Sequence, residues 1–219
     1  MKIQLYFAPG ACSFVPHVAL EIIKAATGQE FELKLVKLHK EEHNAPDYLA
    51  INADAQVPSL LVDAKPLTQV LAICDWLDRT FPQAALMPTA AWAHAQALRQ
   101  LAWMNNTAHP TFRRIMFPAR YAESESARAE VHRMAVTQFH SALERIQGWI
   151  ETKPRFWLGD RVSFHDAYAF TLLRWGGYAG IDPKSFPAYL AYVERVMEAD
   201  PVKAVMLRER IQLDTYNPA

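Results

Sequence analysis

The sequence predicts an α/β domain followed by an all-α helical bundle. Three observations carry that prediction. Strand and helix patterns alternate over the first eighty residues, nearly everything after residue 90 has helical periodicity, and Pro82 and Pro88 break the pattern between the two regions. The expected units are 1–81, a linker over 82–89, and 90–219. A chain of 219 residues with 51% hydrophobic side chains has enough apolar material to bury a core.

In the first unit, Ile3, Leu5 and Phe7 alternate with polar or tip-bearing neighbours, which is the period of a half-buried strand. Ala8-Pro9-Gly10-Ala11 ends it, and a helix is expected from about Ser13 to Ala26. Pro16 fits because the first helical turn has N–H groups without intrahelical partners. A second strand reads from Phe31 to Leu38, with Phe31, Leu33 and Leu35 on one face, and a short helix from Asp47 to Asn52. Gln56 to Val62 is a third strand that a proline enters at its start. Pro66-Leu67-Thr68 and a helix from about Gln69 to Thr80 complete a strand-helix-strand-helix-strand-strand-helix order, that of a thioredoxin-like domain. That fold places a cis bond before a proline at its third strand, where the cis form costs least.

The second unit opens with a helix over Ala91 to Met116 that Pro110 is expected to kink. Val131, Ala135, Phe139, Ala142, Ile146 and Ile150 form one apolar face of the next helix, a seam suited to bundle packing. Ser163 with Asp166 three positions on is a capping-box variant opening a helix to about Tyr178. Further helices are expected over 185–199 and 202–206, with a frayed tail after Asp214.

Charge and cysteine usage narrow the function classes. With 23 basic and 23 acidic residues there is no electrostatic footprint for nucleic acid or an anionic membrane. No apolar run has transmembrane length, and Lys2 leads directly into a strand pattern, so the expected location is cytoplasmic. Cys12 and Cys74 are too few for a disulfide framework. The spacing of the eight histidines, His39 and His43 included, lacks a matching ligand cluster, so no metal is expected.

Cys12 is the most informative single residue. It stands at the mouth of the first helix, where unpaired amides carry partial positive charge, so it is expected to ionise readily and act as a nucleophile or redox centre. The competing reading is a buried, inert small hydrophobe.

Five segments then occur in a telling order: Tyr6-Phe7-Ala8-Pro9-Gly10-Ala11-Cys12-Ser13; Tyr48-Leu49-Ala50-Ile51-Asn52 leading to Gln56-Val57-Pro58; Leu67-Thr68-Gln69 before Ala72-Ile73; Trp103-Met104-Asn105 with His109; and Gly159-Asp160 through Ser163 and Asp166. Through them the whole chain resembles the soluble glutathione transferases, most closely their bacterial beta class. The resemblance implies the glutathione transferase fold, glutathione as co-substrate, and a homodimer. It implies that the backbone of Val57, before Pro58, pairs with the cysteinyl part of glutathione as a short antiparallel strand does, with Gln56 adding a side-chain contact. Gln69 and Val70 fall where the family presents an acidic or amide residue followed by serine, at a helix N-terminus that holds the γ-glutamyl group. Gln69 can accept from an ammonium. Val70 has no hydroxyl, and one lost hydrogen bond to a carboxylate costs about 1.5–3 kcal/mol, roughly ten- to a hundredfold in affinity. Ala53 and Ala55 replace the usual proline and glycine, and Ala55 argues for a backbone that avoids positive φ.

By the same resemblance Cys12 matches the beta-class cysteine, often found as a mixed disulfide with glutathione, and His109 matches a histidine near that sulfur. Asn105, one turn before His109, shares its helix face. Phe112 and Trp175 are candidate walls of the acceptor pocket, and both also read as core. Tyr6 reads as a core or cleft-wall aromatic, Ser13 as a helix cap, Cys74 as buried filler, and Arg113 and Arg114 as a solvated helix face. The implied activity is conjugation of glutathione to small electrophiles, or its exchange through a mixed disulfide at Cys12. The alternative is a noncatalytic binding protein on the same scaffold, its glutathione affinity weakened by Val70.

Overall fold

A computed structural model describes residues 1–217. The N-terminal unit is a four-stranded sheet in the order β2-β1-β3-β4, built from β1 (Ile3–Phe7), β2 (Glu32–Leu35), β3 (Ser59–Val62) and β4 (Lys65–Thr68). β1 runs parallel to β2 and antiparallel to β3, with Leu5 opposite both Leu33 and Leu60. Alternation along β1 buries Ile3, Leu5 and Phe7, and these pack in one core with α1 (Phe14–Thr27) and α3 (Val70–Thr80). Gly28 ends α1 at φ +76°, its N–H donating to Lys24 O at 2.9 Å, a left-handed cap that glycine adopts without a Cβ penalty. This is the thioredoxin-like domain the element order predicts.

β2 is shorter than expected and lies at the sheet edge. Leu35 is 48% exposed, and Val36 takes the buried place instead, with its N–H on Phe7 O at 2.8 Å. α2 (Pro46–Leu49) is a single turn.

The helix expected over 91–116 is three pieces: α4 (Ala91–Trp103), a π-helical turn at Met104–Ala108, and α5 (His109–Met116). Pro110 has no N–H to donate and its ring crowds the carbonyl four residues back, so a widened turn relieves both problems without ending the helix. α6 (Glu125–Ile150) starts with the Ser124 hydroxyl accepting from Ala127 N at 3.2 Å. Along its predicted seam Ala135, Phe139, Ala142, Ile146 and Ile150 are buried and Val131 is half-buried.

α7 (Phe164–Tyr178) runs through the centre and is buried on all sides up to Gly177. Its start is fixed by Asp166, whose carboxylate accepts from Ser163 N at 2.8 Å, Trp157 N at 3.0 Å and the Tyr192 hydroxyl. A short turn at Pro183–Ser185 delays α8 to Pro187–Met197, and α9 runs over Asp200–Glu209. The tail is docked rather than frayed as far as Tyr216. Arg174 Nε donates to Gln212 O at 2.7 Å and Thr215 Oγ1 donates to Arg174 O at 2.5 Å, held against Gly177, where a Cβ would collide with Thr215. The rest of that expectation, at Pro218 and Ala219, lies outside the described residues. Among the described residues no helix is long and apolar enough to cross a membrane.

Helices α1, α7 and α9 join the two units. Phe14 stacks on Phe170 with centroids 4.7 Å apart. Glu209, at the end of α9, reaches the loop before α1: one oxygen accepts from Gly10 N and the other meets His17 Nδ1, both at 2.8 Å and buried.

Candidate functional site

The loop that presents Cys12 is fixed from several sides. Gly10 has φ +68°, and a Cβ there would stand 2.4 Å from Arg174 Nη1, so both backbone conformation and space require glycine. Trp175 Nε1 donates to Gly10 O at 2.9 Å, and Glu209 holds its N–H. Ser13 makes no capping bond to α1. Its hydroxyl instead donates to Ala8 O at 3.1 Å and accepts from Ala8 N at 3.2 Å, closing the loop on itself.

The Cys12 thiol is 7% exposed and donates to Val57 O at 3.5 Å. Burial pushes it up to about 12, outweighing the amides of Cys12 and Ser13 and the Arg113 guanidinium, which pull the other way. The expectation of ready ionisation is therefore corrected for the free protein: helix amides favour the thiolate, but loss of water costs it more.

His109, at the start of α5, is half-buried. Its Nδ1 lies 2.9 Å from the Tyr168 hydroxyl, which donates to Asn105 Oδ1 at 3.1 Å, while Asn105 Nδ2 donates to Asn106 Oδ1 at 2.7 Å. Tyr168 has one proton to give, and it goes to Asn105. His109 must then supply the other, which assigns the hydrogen to Nδ1 and leaves a lone pair on Nε2. Burial, and secondly Arg113, lower His109 to about 4, so it is neutral at pH 7. The π-turn makes this possible by setting Asn105 and His109 around the same tyrosine.

Trp175 lies across His109, with centroids 4.7 Å apart, and stacks on Phe112 at 4.5 Å and 14°. Phe112 is 8% and Trp175 5% exposed, so both candidate acceptor walls are largely covered, Phe112 by Trp175 and Phe139, and Trp175 by His109 and the Gly10 loop. Arg113, one turn past His109, makes no ion pair or side-chain hydrogen bond among the described residues.

Opposite Cys12, the Val57–Pro58 bond is cis. Gln56 O accepts from the Tyr48 hydroxyl at 2.5 Å and from Asn52 Nδ2 at 2.7 Å, so α2 pins the loop while the Gln56 side chain stays exposed. The Val57 N–H has no hydrogen-bond partner among the described residues. Ala55 has φ +52°, contrary to expectation. The turn drawn by Ala55 N on Asn52 O at 3.0 Å and Asp54 N on Asn52 Oδ1 at 3.0 Å imposes the left-handed conformation, at a cost of about 1–2 kcal/mol. Gln69 also has positive φ, +71°, immediately before α3, and its Nε2 reaches Asp54 Oδ2 at 3.5 Å. Such a backbone in a non-glycine residue costs on the order of 1–3 kcal/mol and is typical of ligand sites. The Val70 side chain is buried in the core, leaving its N–H at the open end of α3.

The structure thus groups Cys12 with Val57 and Pro58, and His109 with Asn105, Phe112 and Trp175, and Trp175 ties the second group to the Gly10 loop that carries Cys12. Sequence reading missed Tyr168, which joins Asn105 to His109, and took Arg113 for a solvated residue. The available signal for Tyr168 was a phenolic hydroxyl in a helix expected to be buried, where it must find a partner. Among the described residues no group of three or more His, Cys, Asp or Glu side chains is placed to hold a metal ion.

Comparison with known proteins agrees with this architecture. Residues 1–79 match the family described as Glutathione S-transferase, N-terminal domain, and residues 104–200 its C-terminal domain. Glutathione S-transferase GST-4.5 of Xanthomonas campestris is 32% identical over 208 residues, covering 94% of this chain and 98% of that protein. A glutathione transferase homologue from Sulfitobacter, solved with bound glutathione, superposes with a TM-score of 0.87 at 25% identity over 96% of this chain and 99% of that one. A bacterial beta class glutathione S-transferase from Sphingomonas chungbukensis gives 0.78 at 28% identity over 94% and 98%. With both family domains matched in order and relatives aligned over nearly their whole length, the chain belongs to the glutathione S-transferase family.

Proposed function

We propose that this chain is a beta-class-like, homodimeric glutathione transferase that docks glutathione against Val57 and conjugates its sulfur to small electrophiles. The observation that carries the reading is the Cys12 thiol directed at Val57 O, on a residue whose N–H has no partner among the described residues. An extended peptide pairing with Val57 uses both groups and sets its sulfur beside Cys12. The open N-terminus of α3, at Gln69 and Val70, takes the γ-glutamyl carboxylate through backbone N–H groups. Gln56 and Asn105 border the two sides of the groove.

The protonation states then divide the roles. Cys12 stays a thiol at pH 7 and transfers its hydrogen bond from Val57 O to the bound sulfur, stabilising the glutathione thiolate without competing as a nucleophile. His109 offers the Nε2 lone pair to the glutathione thiol proton, and the resulting thiolate favours the imidazolium that burial alone opposes. The thiolate attacks the electrophilic carbon, a carbon–sulfur bond forms, and the leaving group departs with its electron pair. Phe112 and Trp175 back the acceptor side.

Exchange through a mixed disulfide at Cys12 is the second reading, favoured by the sulfur's position and opposed by the burial that keeps it protonated. Calorimetry with glutathione and conjugation of a nitroaryl chloride test the proposal together. Binding at millimolar ligand or tighter, with turnover, is expected. Absence of heat in the wild type with recovery in Val70→Ser would favour the noncatalytic scaffold. A monomer in sedimentation at micromolar concentration would defeat the dimer.

A further inference from the structure

Arg113 is a cation without a partner beside the reaction centre. It is half-buried on α5, one turn after His109 on the same helix face, and next to Phe112, whose ring stacks on Trp175. Among the described residues it makes no ion pair and no side-chain hydrogen bond, and no aromatic ring supports it, whereas its neighbour Arg114 lies over Tyr121 at 5.7 Å. Burial dominates the shifts of Cys12 and His109, and Arg113 supplies the one side-chain charge that acts on both, favouring the thiolate and disfavouring the imidazolium. No carboxylate offsets it at either group.

A half-buried guanidinium whose fork of N–H groups has no acceptor is matched by a carboxylate, and aromatic neighbours that exclude water strengthen such a pair. On the glutathione reading, on which this inference rests, the tripeptide pairs with Val57 and ends at the N-terminus of α3, both on the sheet unit. Arg113 stands instead on the helical unit, with the Phe112 and Trp175 walls of the acceptor side. Its counterpart is then on the acceptor. We propose that Arg113 is a specificity-determining residue, which selects electrophiles carrying a carboxylate and holds that group while the glutathione sulfur attacks. The thiol proton passes to His109 Nε2, the sulfur forms a bond to the electrophilic carbon, and the leaving group departs with the electron pair of the bond that breaks. The carboxylate is unchanged throughout, and its pairing with Arg113 fixes where that carbon sits.

The test uses two acceptors of one skeleton, a chlorodinitrobenzoate with its chlorine para to the carboxylate and the uncharged methyl ester, each rate divided by that of the uncatalysed reaction with glutathione. The wild type is expected to favour the acid at least tenfold in kcat/KM, mainly through KM, and by less as salt is raised. Arg113→Gln should remove that preference, and Arg113→Lys, which keeps the charge but not the fork, should retain part of it. Glutathione affinity, followed by calorimetry in all three proteins, should stay within about twofold, since the tripeptide lies on the other unit. Absence of glutathione binding in the wild type would overturn both this inference and the reading beneath it; normal binding without a preference for the acid would overturn this inference alone. So would a preference that survives Arg113→Gln, an equal loss on acid and ester, which assigns the charge to the glutathione sulfur, or a tenfold loss of glutathione affinity, which assigns it to a carboxylate of the tripeptide.

Discussion

Replacing Tyr168 with phenylalanine removes one oxygen and tests the electrostatic design of the site. That hydroxyl accepts from His109 Nδ1 at 2.9 Å and donates to Asn105 Oδ1 at 3.1 Å, and the tyrosine is fully buried. Without it a buried imidazole N–H and a carbonyl lose their partners together, a cost of about 1–3 kcal/mol in stability. The catalytic consequence is different in kind. His109 is no longer held to the tautomer with a bare Nε2 and turns more freely, so proton acceptance from glutathione falls by about ten- to a hundredfold in kcat. The assay is conjugation of a nitroaryl chloride as a function of pH, with Tm measured on the same samples. A purely structural tyrosine lowers Tm and leaves the pH profile alone; a positioning tyrosine lowers kcat at fixed KM and alters the profile. Imidazole nitrogen NMR of the wild type should show hydrogen on Nδ1 of His109. Hydrogen on Nε2, or a Tyr168→Phe enzyme with unchanged kcat, would refute the reasoning.

Other consequences are equally accessible. Cys12 is shifted from 9.0 to about 12, so its thiolate fraction at neutral pH is about a thousandfold below that of an ordinary cysteine, and alkylation by iodoacetamide should be slower in proportion. Labelling with a midpoint near pH 7 would contradict this. The same raised value means that the stability owed to the buried thiol is intact below pH 9 and is lost as pH rises towards 12. Glu209→Leu leaves Gly10 N and His17 Nδ1 without an acceptor and should cost about 3 kcal/mol or more, seen as a lower urea midpoint; an unchanged midpoint would remove Glu209 from the account of the loop. His165 is fully buried, with Nε2 2.7 Å from Ala97 O, and is lowered from 6.5 to about 4. Its contribution is present above pH 6.5 and is lost as pH falls towards 4, about 3 kcal/mol, with His109 acting in the same direction and buried Asp166, which is shifted up, offsetting part. Urea unfolding at pH 7 and pH 4.5 should show the loss, and a flat response would count against it.

Much of the fold is legible in the chain because period and punctuation agree there. Ile3-Leu5-Phe7 reads as a strand and is one, and Ser163 with Asp166 opens a buried helix as its spacing implies. Leu35 misleads because an edge strand has only one neighbour to set its burial, and Pro110 announces a disturbance without saying that it becomes a π-turn. In the site, Cys12, Val57-Pro58 and His109 stand out by local pattern. Their protonation does not. The state of Cys12 depends on its burial, the tautomer of His109 on a tyrosine 59 residues away, and the left-handed Ala55 on a turn closed by the backbone and side-chain oxygens of Asn52. Each is a long-range or side-chain property with no local signature.

The most direct measurement is a crystal structure of the protein soaked in glutathione. The account predicts the tripeptide paired with the backbone of Val57, its γ-glutamyl carboxylate at the N-terminus of α3, and its sulfur in hydrogen-bond contact with the Cys12 thiol and facing Nε2 of His109. Glutathione bound elsewhere, or a groove still closed by the Cys12 to Val57 contact at saturating ligand, would contradict it.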